Sequence, residues 1–462
     1  MIISPVCTLH KAVRRGVSLA AIAVSLLTLA APAVSAADAT TNSTPGKAPL
    51  IKVNSRPLGT GNVLTGLDVI KRDGYKLLQN KKLALLTNAS AIDRDGNHIL
   101  DLIVGQPDVH LVSLFSPEHG LYGNVDTHVA DMKDTATGLM IYSLYRQGAG
   151  AKLGYPSDKQ LKGLDAVVID LQDIGARYYT YLAYMGKMME SCAKNRVAVI
   201  VLDRPNPIGG LYVGGPRPDF DKIGDITNYF DMPIAHGMTM GELARMFNRE
   251  KKINCKLTVV PVENWTRDMY LDQTGLRWVD PSPNIQDLDA AIVYPGIAIT
   301  EAIMSMGRGT PHPFHVFGSP IIENPAEMIK AVEDAGAAAG AKLSAVDFTP
   351  TGTLSRGHHG EGRVCHGAKI EITDRTKFDA YALGQAVIDY MVRTYGHTMV
   401  KNSKGELVPK YDVWKIRQAA SSWVCARTVE GKPLKDTLDL VKAQVKKFLP
   451  IRARYLIYKD KQ

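Results

Sequence analysis

The sequence has no C-x-x-C pair and only five cysteines in 462 residues. Cys7 falls in the N-terminal leader. Cys192, Cys255, Cys365 and Cys425 stand far apart, which argues against a zinc or thioredoxin-like motif and leaves their pairing open. Beyond the leader no apolar run reaches the ~18–20 residues of a membrane-spanning helix. The basic residues form no long block, so nucleic acid is a poor partner. No G-x-G-x-x-G follows the first predicted strand, which disfavours a dinucleotide. There is no Walker A loop, no H-E-x-x-H and no G-x-S-x-G elbow. One S-x-x-K, Ser191 to Lys194, stands without a supporting motif. His358, His359 and His366 gather near Cys365, where a metal is conceivable but an ordinary structural role is favoured. No internal repeat is present. What these absences leave is carboxylate chemistry with no cofactor and no metal.

What is present begins with a tripartite leader. Lys11, Arg14 and Arg15 precede the apolar run "GVSLAAIAVSLLTLAAPAV", and "VSA" (34–36) is a small-residue cleavage site. No cysteine follows the run, so no lipoprotein anchor is expected. The expectation is cleavage after Ala36 and a soluble mature protein, periplasmic or secreted. The formal charge is +9, and residues 1–36 carry three basic residues and no acidic one, so the mature chain stays near +6. A mild positive field suits an anionic substrate or envelope polymer, and equally plain solubility. Apolar content of 45% and charged content of 22% are those of a globular protein.

Residues 37–61 read as a polar, disordered start to the mature chain. Strands then alternate with helices. "KLALLT" (82–87), "VHLVSLF" (109–115), "LDAVVIDL" (164–171), "VAVIVLD" (197–203) and "LTVVPV" (257–262) are apolar on both faces, as parallel strands covered by helices must be. "YYTYLAYMGKMMESCAKN" supplies a crossover helix, and Thr239 with Glu242 has capping-box spacing. The pattern predicts a Rossmann-like, doubly wound, mostly parallel α/β domain over 62–270. A smaller α/β domain follows over 271–462, with "LDAAIVYPG" as a strand, a helix over 377–396 and a last helix over 434–449.

In an open parallel sheet, ligands bind beyond the carboxyl ends of the strands. Those ends carry Asn88; Glu118 and His119; Asp173, Arg177 and Tyr178; and Asp203, Arg204 and Asn206. Each has a structural alternative: Asp203 as a turn cap, Arg177 as a partner of Asp173, the tyrosines as core, His236 as a helix cap. The convergence of polar groups on one rim is what raises Glu118 above an ordinary turn residue.

Six stretches in order carry a resemblance: "LFSPEHGLYG", "DLQDIGARYYTY", "VLDRPNPIGG", "HGMTMGELA", "WVDPSPNIQDLDAAIVYPG" and "SMGRGTPHPFHVFGSP". Together they resemble the NamZ-type exo-β-N-acetylmuramidases, from about residue 62 to the terminal "IRARYLIY". The resemblance implies a Rossmann-like domain followed by a smaller α/β domain, with the site between them. It implies release of N-acetylmuramic acid from the non-reducing end of peptidoglycan fragments, with the S-P-E-H-G glutamate, here Glu118, as the proposed catalytic residue. The chain departs from the family at His315, where an acidic or amide residue is common, and at "VGGP" (213–216). Both departures bear on substrate choice.

Glycoside hydrolysis commonly uses two carboxyl groups. Glu118, between a core strand and a glycine turn, is expected to be the general acid. Asp173, Asp203 and Glu301 are open as the second group, as is the substrate's own N-acetyl group with an aspartate orienting it. A guanidinium suits the lactyl carboxylate of muramic acid. Arg177, Arg204 and Arg308 are candidates, and the flanking glycines favour Arg308. His236 and Asn284 complete the substrate-binding set. The alternatives are a periplasmic muropeptide-binding module without turnover and, more weakly, a deacylase or esterase.

Overall fold

A computed structural model describes residues 50–123, 130–145, 153–396, 399–401, 407–409 and 421–460. The leader and its cleavage site lie outside the described residues.

The chain enters through β1 (Arg56–Pro57), helix α1 (Gly66–Arg72), β2 (Lys81–Thr87), α2 (Ile99–Ile103) and β3 (Val109–Ser116). It continues through β4 (Met132–Lys133), β5 (Met140–Ser143), α3 (Asp158–Leu161), β6 (Ala166–Asp170), α4 (Tyr181–Asn195), β7 (Ala198–Leu202), α5 (Met240–Glu250) and β8 (Leu257–Val260). Strands β2 to β8 form one seven-stranded sheet in the order β4-β5-β3-β2-β6-β7-β8. Only the edge strand β4 runs antiparallel. Without β4 this is the doubly wound order of dinucleotide-binding folds, although the glycine fingerprint of those folds is absent.

The sequence explains the layering. Leu86, Val167, Ile169, Val199 and Val201 point to one face and pack with α4 and α5 through Met185, Met188 and Leu243. Leu83, Leu85, Val168, Ile200 and Leu202 point to the other, against α1 and α2 through Leu67, Ile70 and Ile99. Alternation along a strand sends neighbours to opposite faces, so apolar residues at every position mean both faces are covered. Thr239 closes the expected capping box with Glu242 at the start of α5.

The second, smaller unit begins after β9 (Arg277–Trp278), which pairs with β1. Helix α6 (Leu288–Ile297) leads to β10 (Val316–Ser319), α7 (Pro325–Asp334), β11 (Ala341–Phe348), β12 (Cys365–Ile372), α8 (Ala380–Tyr395), α9 (Ser422–Val429) and α10 (Leu434–Ala453). Its sheet is antiparallel, in the order β10-β12-β11. The buried apolar cluster on the α4/α5 face runs on without a break into this unit, through Ile292, Phe317, Leu343 and Ala368.

Three expectations need amending. "LDAAIVYPG" is helix α6, not a strand. Asp287 caps it by accepting the Ala290 N–H at 2.8 Å, and a short, mostly buried apolar run has no periodicity to tell strand from helix. Residues 50–61, read as disordered, include buried Ile51 and strand β1. Helix α10 runs past Leu449 to Ala453 and carries Pro450 inside it. Helices α6 and α8 approach closely where Gly296 faces Gly384: a Cβ on Gly296 would stand 1.6 Å from the Ala380 carbonyl oxygen. That contact fixes α6, and with it Tyr294, over the end of the parallel sheet.

Candidate active site

The parallel strands deliver their last residues to one rim. β3 ends at Ser116, and Pro117 leads into a turn closed by Gly120 N–H donating to the Pro117 carbonyl at 3.2 Å. His119 and Gly120 both take positive φ, 70° and 74°. For histidine that conformation is strained, by about 1–3 kcal/mol, and such strain concentrates at functional sites. The turn leaves Glu118 half-buried. Its Oε2 accepts from Thr180 Oγ1 at 2.7 Å, and its Oε1 has no partner among the described residues. Thr180 precedes α4, and the phenols of Tyr181 and Tyr184 on that helix stand near Glu118. Burial raises the pKa of both, and the Glu118 charge raises it further.

Asp173 comes from the loop after β6 and is buried. Its Oδ2 accepts the Gly175 N–H at 2.7 Å and lies 3.2 Å from His236 Nε2. His236 is buried and its Nδ1 accepts the Met238 N–H at 3.2 Å.

The wall opposite comes from the second unit. Tyr294 on α6 packs against Tyr178 (5.4 Å between centroids), Tyr179 (6.0 Å) and Phe314 (5.0 Å). Tyr178 donates its hydroxyl to the Tyr294 carbonyl at 3.0 Å. Burial, first, raises the Tyr294 phenol pKa. Arg308 opposes that, and the charges of Glu301, Glu118 and Asp173 add to it. Tyr294 therefore stands within electrostatic reach of all four groups. Glu301 pairs with Arg308 Nε at 3.1 Å and His358 Nδ1 at 3.0 Å. Burial works to raise the Glu301 pKa, but His358 and Arg308 outweigh it and hold it below the usual range. A depression of about 390 Å³ opens beside Glu301, floored by Gly357–Gly360 and Arg363.

Other residues expected at the site are occupied inside the fold. Arg177 is fully buried and donates to the carbonyls of Pro216 and Met232, not to Asp173. Arg204 pairs with Asp170 and donates to the Ile92 carbonyl. Asp203 accepts from four donors: the Arg204 and Gly241 N–H groups, Thr239 Oγ1 and Tyr458 OH. Asn206 bonds the Met238 carbonyl and the Ile208 N–H within its own turn. Asn88 bonds Tyr181 OH at 2.7 Å and Ser90, so it places a tyrosine. Asn284 is buried in the turn between β9 and α6, and His119 is buried in the Glu118 turn. His315, the departure from the family pattern, holds the Asp287 cap with Nε2 at 2.9 Å. Among the described residues no group of three or more His, Cys, Asp or Glu is placed to hold a metal. His358 turns to Glu301, His359 to Ser319 and His366 to Asp347.

Sequence reasoning missed Thr180, Tyr294 and Phe314, and weighed His358 only as one of a histidine cluster, not as a partner of Glu301. Tyr294 was hidden because its segment reads as a strand. Thr180 had a usable signal, since it directly precedes the crossover helix at the same rim.

Two family models match the chain in tandem. Residues 83–289 match "Exo-beta-N-acetylmuramidase NamZ, N-terminal" and residues 292–458 match "Exo-beta-N-acetylmuramidase NamZ, C-terminal". The chain is 33% identical over 401 residues to the peptidoglycan β-N-acetylmuramidase NamZ of Bacillus subtilis (strain 168), covering 86% of this chain and 91% of that one. Two crystal structures of DUF1343-family proteins from Bacteroides fragilis NCTC 9343 superpose on it. One has a TM-score of 0.75 at 29% identity and the other 0.65 at 27%, each covering 87% of this chain and all of its own.

Proposed function

The chain belongs to the NamZ family and is a glycoside hydrolase, and on that premise we propose that it is a peptidoglycan β-N-acetylmuramidase that removes N-acetylmuramic acid from non-reducing ends. Glu118 is the general acid. One observation carries this role: of the carboxylates at the rim of the parallel sheet, Glu118 is half-exposed, is fixed by a single donor and has a free oxygen. A general acid must reach the glycosidic oxygen within about 2.6–3.2 Å. A carboxyl group on the end of a core strand, steered by Pro117 and a strained turn, is held for that without a mobile loop.

Arg308 is the guanidinium for the lactyl carboxylate. Arg177 and Arg204 are buried at other places in the fold, whereas Arg308, although paired with Glu301, stands on the wall shared with Tyr294. Its guanidinium carbon stands over the Phe314 ring, 5.4 Å from the centroid. Export follows from the leader sequence: the mature chain begins near Ala37 and works in the periplasm or outside the cell.

A chromogenic muramic acid glycoside tests the reading. Dye release by the mature chain is the expected result. Saturable binding without release would make the chain a binding module, and cleavage of an ester or amide in preference would make it an acyl hydrolase. N-terminal sequencing that found Met1 on a cytoplasmic protein would overturn the export assignment.

A further inference from the structure

The two oxygens of Asp173 are treated differently. Oδ2 takes the Gly175 N–H and faces His236. Because His236 Nδ1 accepts from Met238, the neutral ring carries its proton on Nε2, towards Asp173. Oδ1 is buried and has no hydrogen-bond partner among the described residues. Leaving a buried acceptor unpaired costs about 1–3 kcal/mol, a cost the fold has met everywhere on Asp203. Of the other carboxylates available as a second group, Asp203 is saturated and Glu301 is paired with Arg308 and lies 3.0 Å from His358 Nδ1.

Tyr294, within electrostatic reach of Asp173, has no hydrogen bond on its hydroxyl among the described residues, while three aromatic rings fix its own ring in place. Its burial and the surrounding carboxylates keep the phenol protonated, hence a donor. His236 Nε2, 3.2 Å from Asp173 Oδ2, likewise has no hydrogen-bond partner among the described residues, so the site combines a spare acceptor, spare donors and an aromatic wall. An acetamido group presents the complement: an N–H, a carbonyl oxygen and a methyl.

We propose that Asp173 and Tyr294 form the subsite for the 2-acetamido group of the muramic acid ring, and that Asp173 holds that group as the internal nucleophile. The inference rests on the muramidase reading above. The acetamido carbonyl oxygen attacks C1 as the C1–O bond to the leaving sugar breaks, and the Glu118 proton passes to the departing oxygen. The bicyclic oxazolinium so formed keeps its N–H on Asp173 Oδ1. Water then adds to C1 and gives a proton to the Glu118 carboxylate, the ring opens and the acetamide is restored. Two displacements at C1 retain configuration. His236 is a positioning residue, since it acts only through Asp173.

The test uses the mature enzyme and a series of chromogenic muramic acid glycosides carrying acetyl, monofluoroacetyl, difluoroacetyl and trifluoroacetyl groups. Fluorine withdraws electrons from the carbonyl oxygen, so kcat should fall steeply along the series. The first-formed sugar should be the β-anomer by NMR. Asp173→Asn should lose about 10²-fold in kcat, the scale of one charge-stabilising group, and Tyr294→Phe about tenfold, the value of one hydrogen bond. Both losses should fall on kcat more than on KM. An inverted product, or one rate for every acyl group, overturns the proposal whatever the variants do. A parent enzyme inert on the acetyl glycoside overturns the muramidase reading and this one with it.

Discussion

The two sides of the strand-end rim carry the same residue types and use them in opposite ways. On the β7 side, Asp203 accepts from four donors and Arg204 is locked to Asp170. On the open side, at the ends of β3 and β6, Glu118 accepts from one donor, and Asp173, in the loop after β6, keeps an oxygen in reserve. Position at the end of a parallel strand does not separate the two sides. Spare hydrogen-bonding capacity does. A carboxylate whose lone pairs are filled by its own fold is part of a joint, and one with a vacancy can meet a substrate.

The largest expected effect is at Glu118. Replacement by Gln keeps size and hydrogen bonding but removes the transferable proton. General acid catalysis is worth roughly 10²–10⁴-fold, so kcat on a muramic acid glycoside should fall by about that much. KM and Tm should stay near the parent, because the interaction lost belongs to the transition state. Turnover within about threefold of the parent, far short of the ~10² floor, would abolish the distinction between the two sides.

Arg204→Met tests the closed side. Asp170 is fully buried, and burial raises its pKa against the pull of Arg204. Removing one member of a buried ion pair costs about 3–5 kcal/mol. Urea unfolding should show that loss, while kcat per folded molecule stays within about twofold, as expected of a change that touches no transition-state contact. A variant as stable as the parent but inactive would move Arg204 to the open side.

Thr180→Val should have a smaller effect on the open side. Hydrogen bonds to charged groups are worth about 1.5–3 kcal/mol. Freeing the Glu118 side chain should therefore lower kcat by roughly ten- to a hundredfold, and Thr180→Ser should restore most of it. Equal losses in both variants would mean the hydroxyl is not the cause.

The parallel sheet was legible because β2, β3, β6 and β7 are apolar at successive positions and end in turn residues. The capping box at Thr239 was legible for the same local reason. Helix α6 was not, since a buried helix of ten residues shows no amphipathic period, and Tyr294 was lost with it. Strands β4 and β5 were passed over because they are short, β4 exposed at both residues and β5 only partly buried. At the site, sequence named Glu118 and the rim, but it ranked Asp203, Arg204 and Asn206 alongside it. Their real partners, Tyr458, Asp170 and Met238, are 255, 34 and 32 residues away in the chain. Saturation by distant partners is a tertiary property, and no local pattern announces it.

The smallest effect is a pH slope at Asp203. Burial pushes its carboxyl up to about 6, although Tyr458, Gly241 and Thr239 all pull it down. The unfolded chain ionises the same group near 3.8. Below that pH both states hold the proton and Asp203 contributes no slope. Between the two values the unfolded state sheds its proton first, so stability is lost as pH rises, and above the folded value the loss is constant. Asn removes the titrating group. Its Oδ1 can still accept from Arg204 and Gly241, but the Thr239 and Tyr458 hydroxyls, which already accept from the Glu242 and Val262 N–H groups, lose the acceptor for their protons, a cost that does not change with pH. Asp203→Asn should therefore gain on the parent by ~1 kcal/mol between pH 5 and pH 7, read from urea curves at both. Its kcat should follow the parent across that range. Parallel stability curves would show that the four donors already hold Asp203 ionised in the fold. A change in kcat with no change in stability would place Asp203 with Glu118, and the contrast between the two sides of the rim would fail.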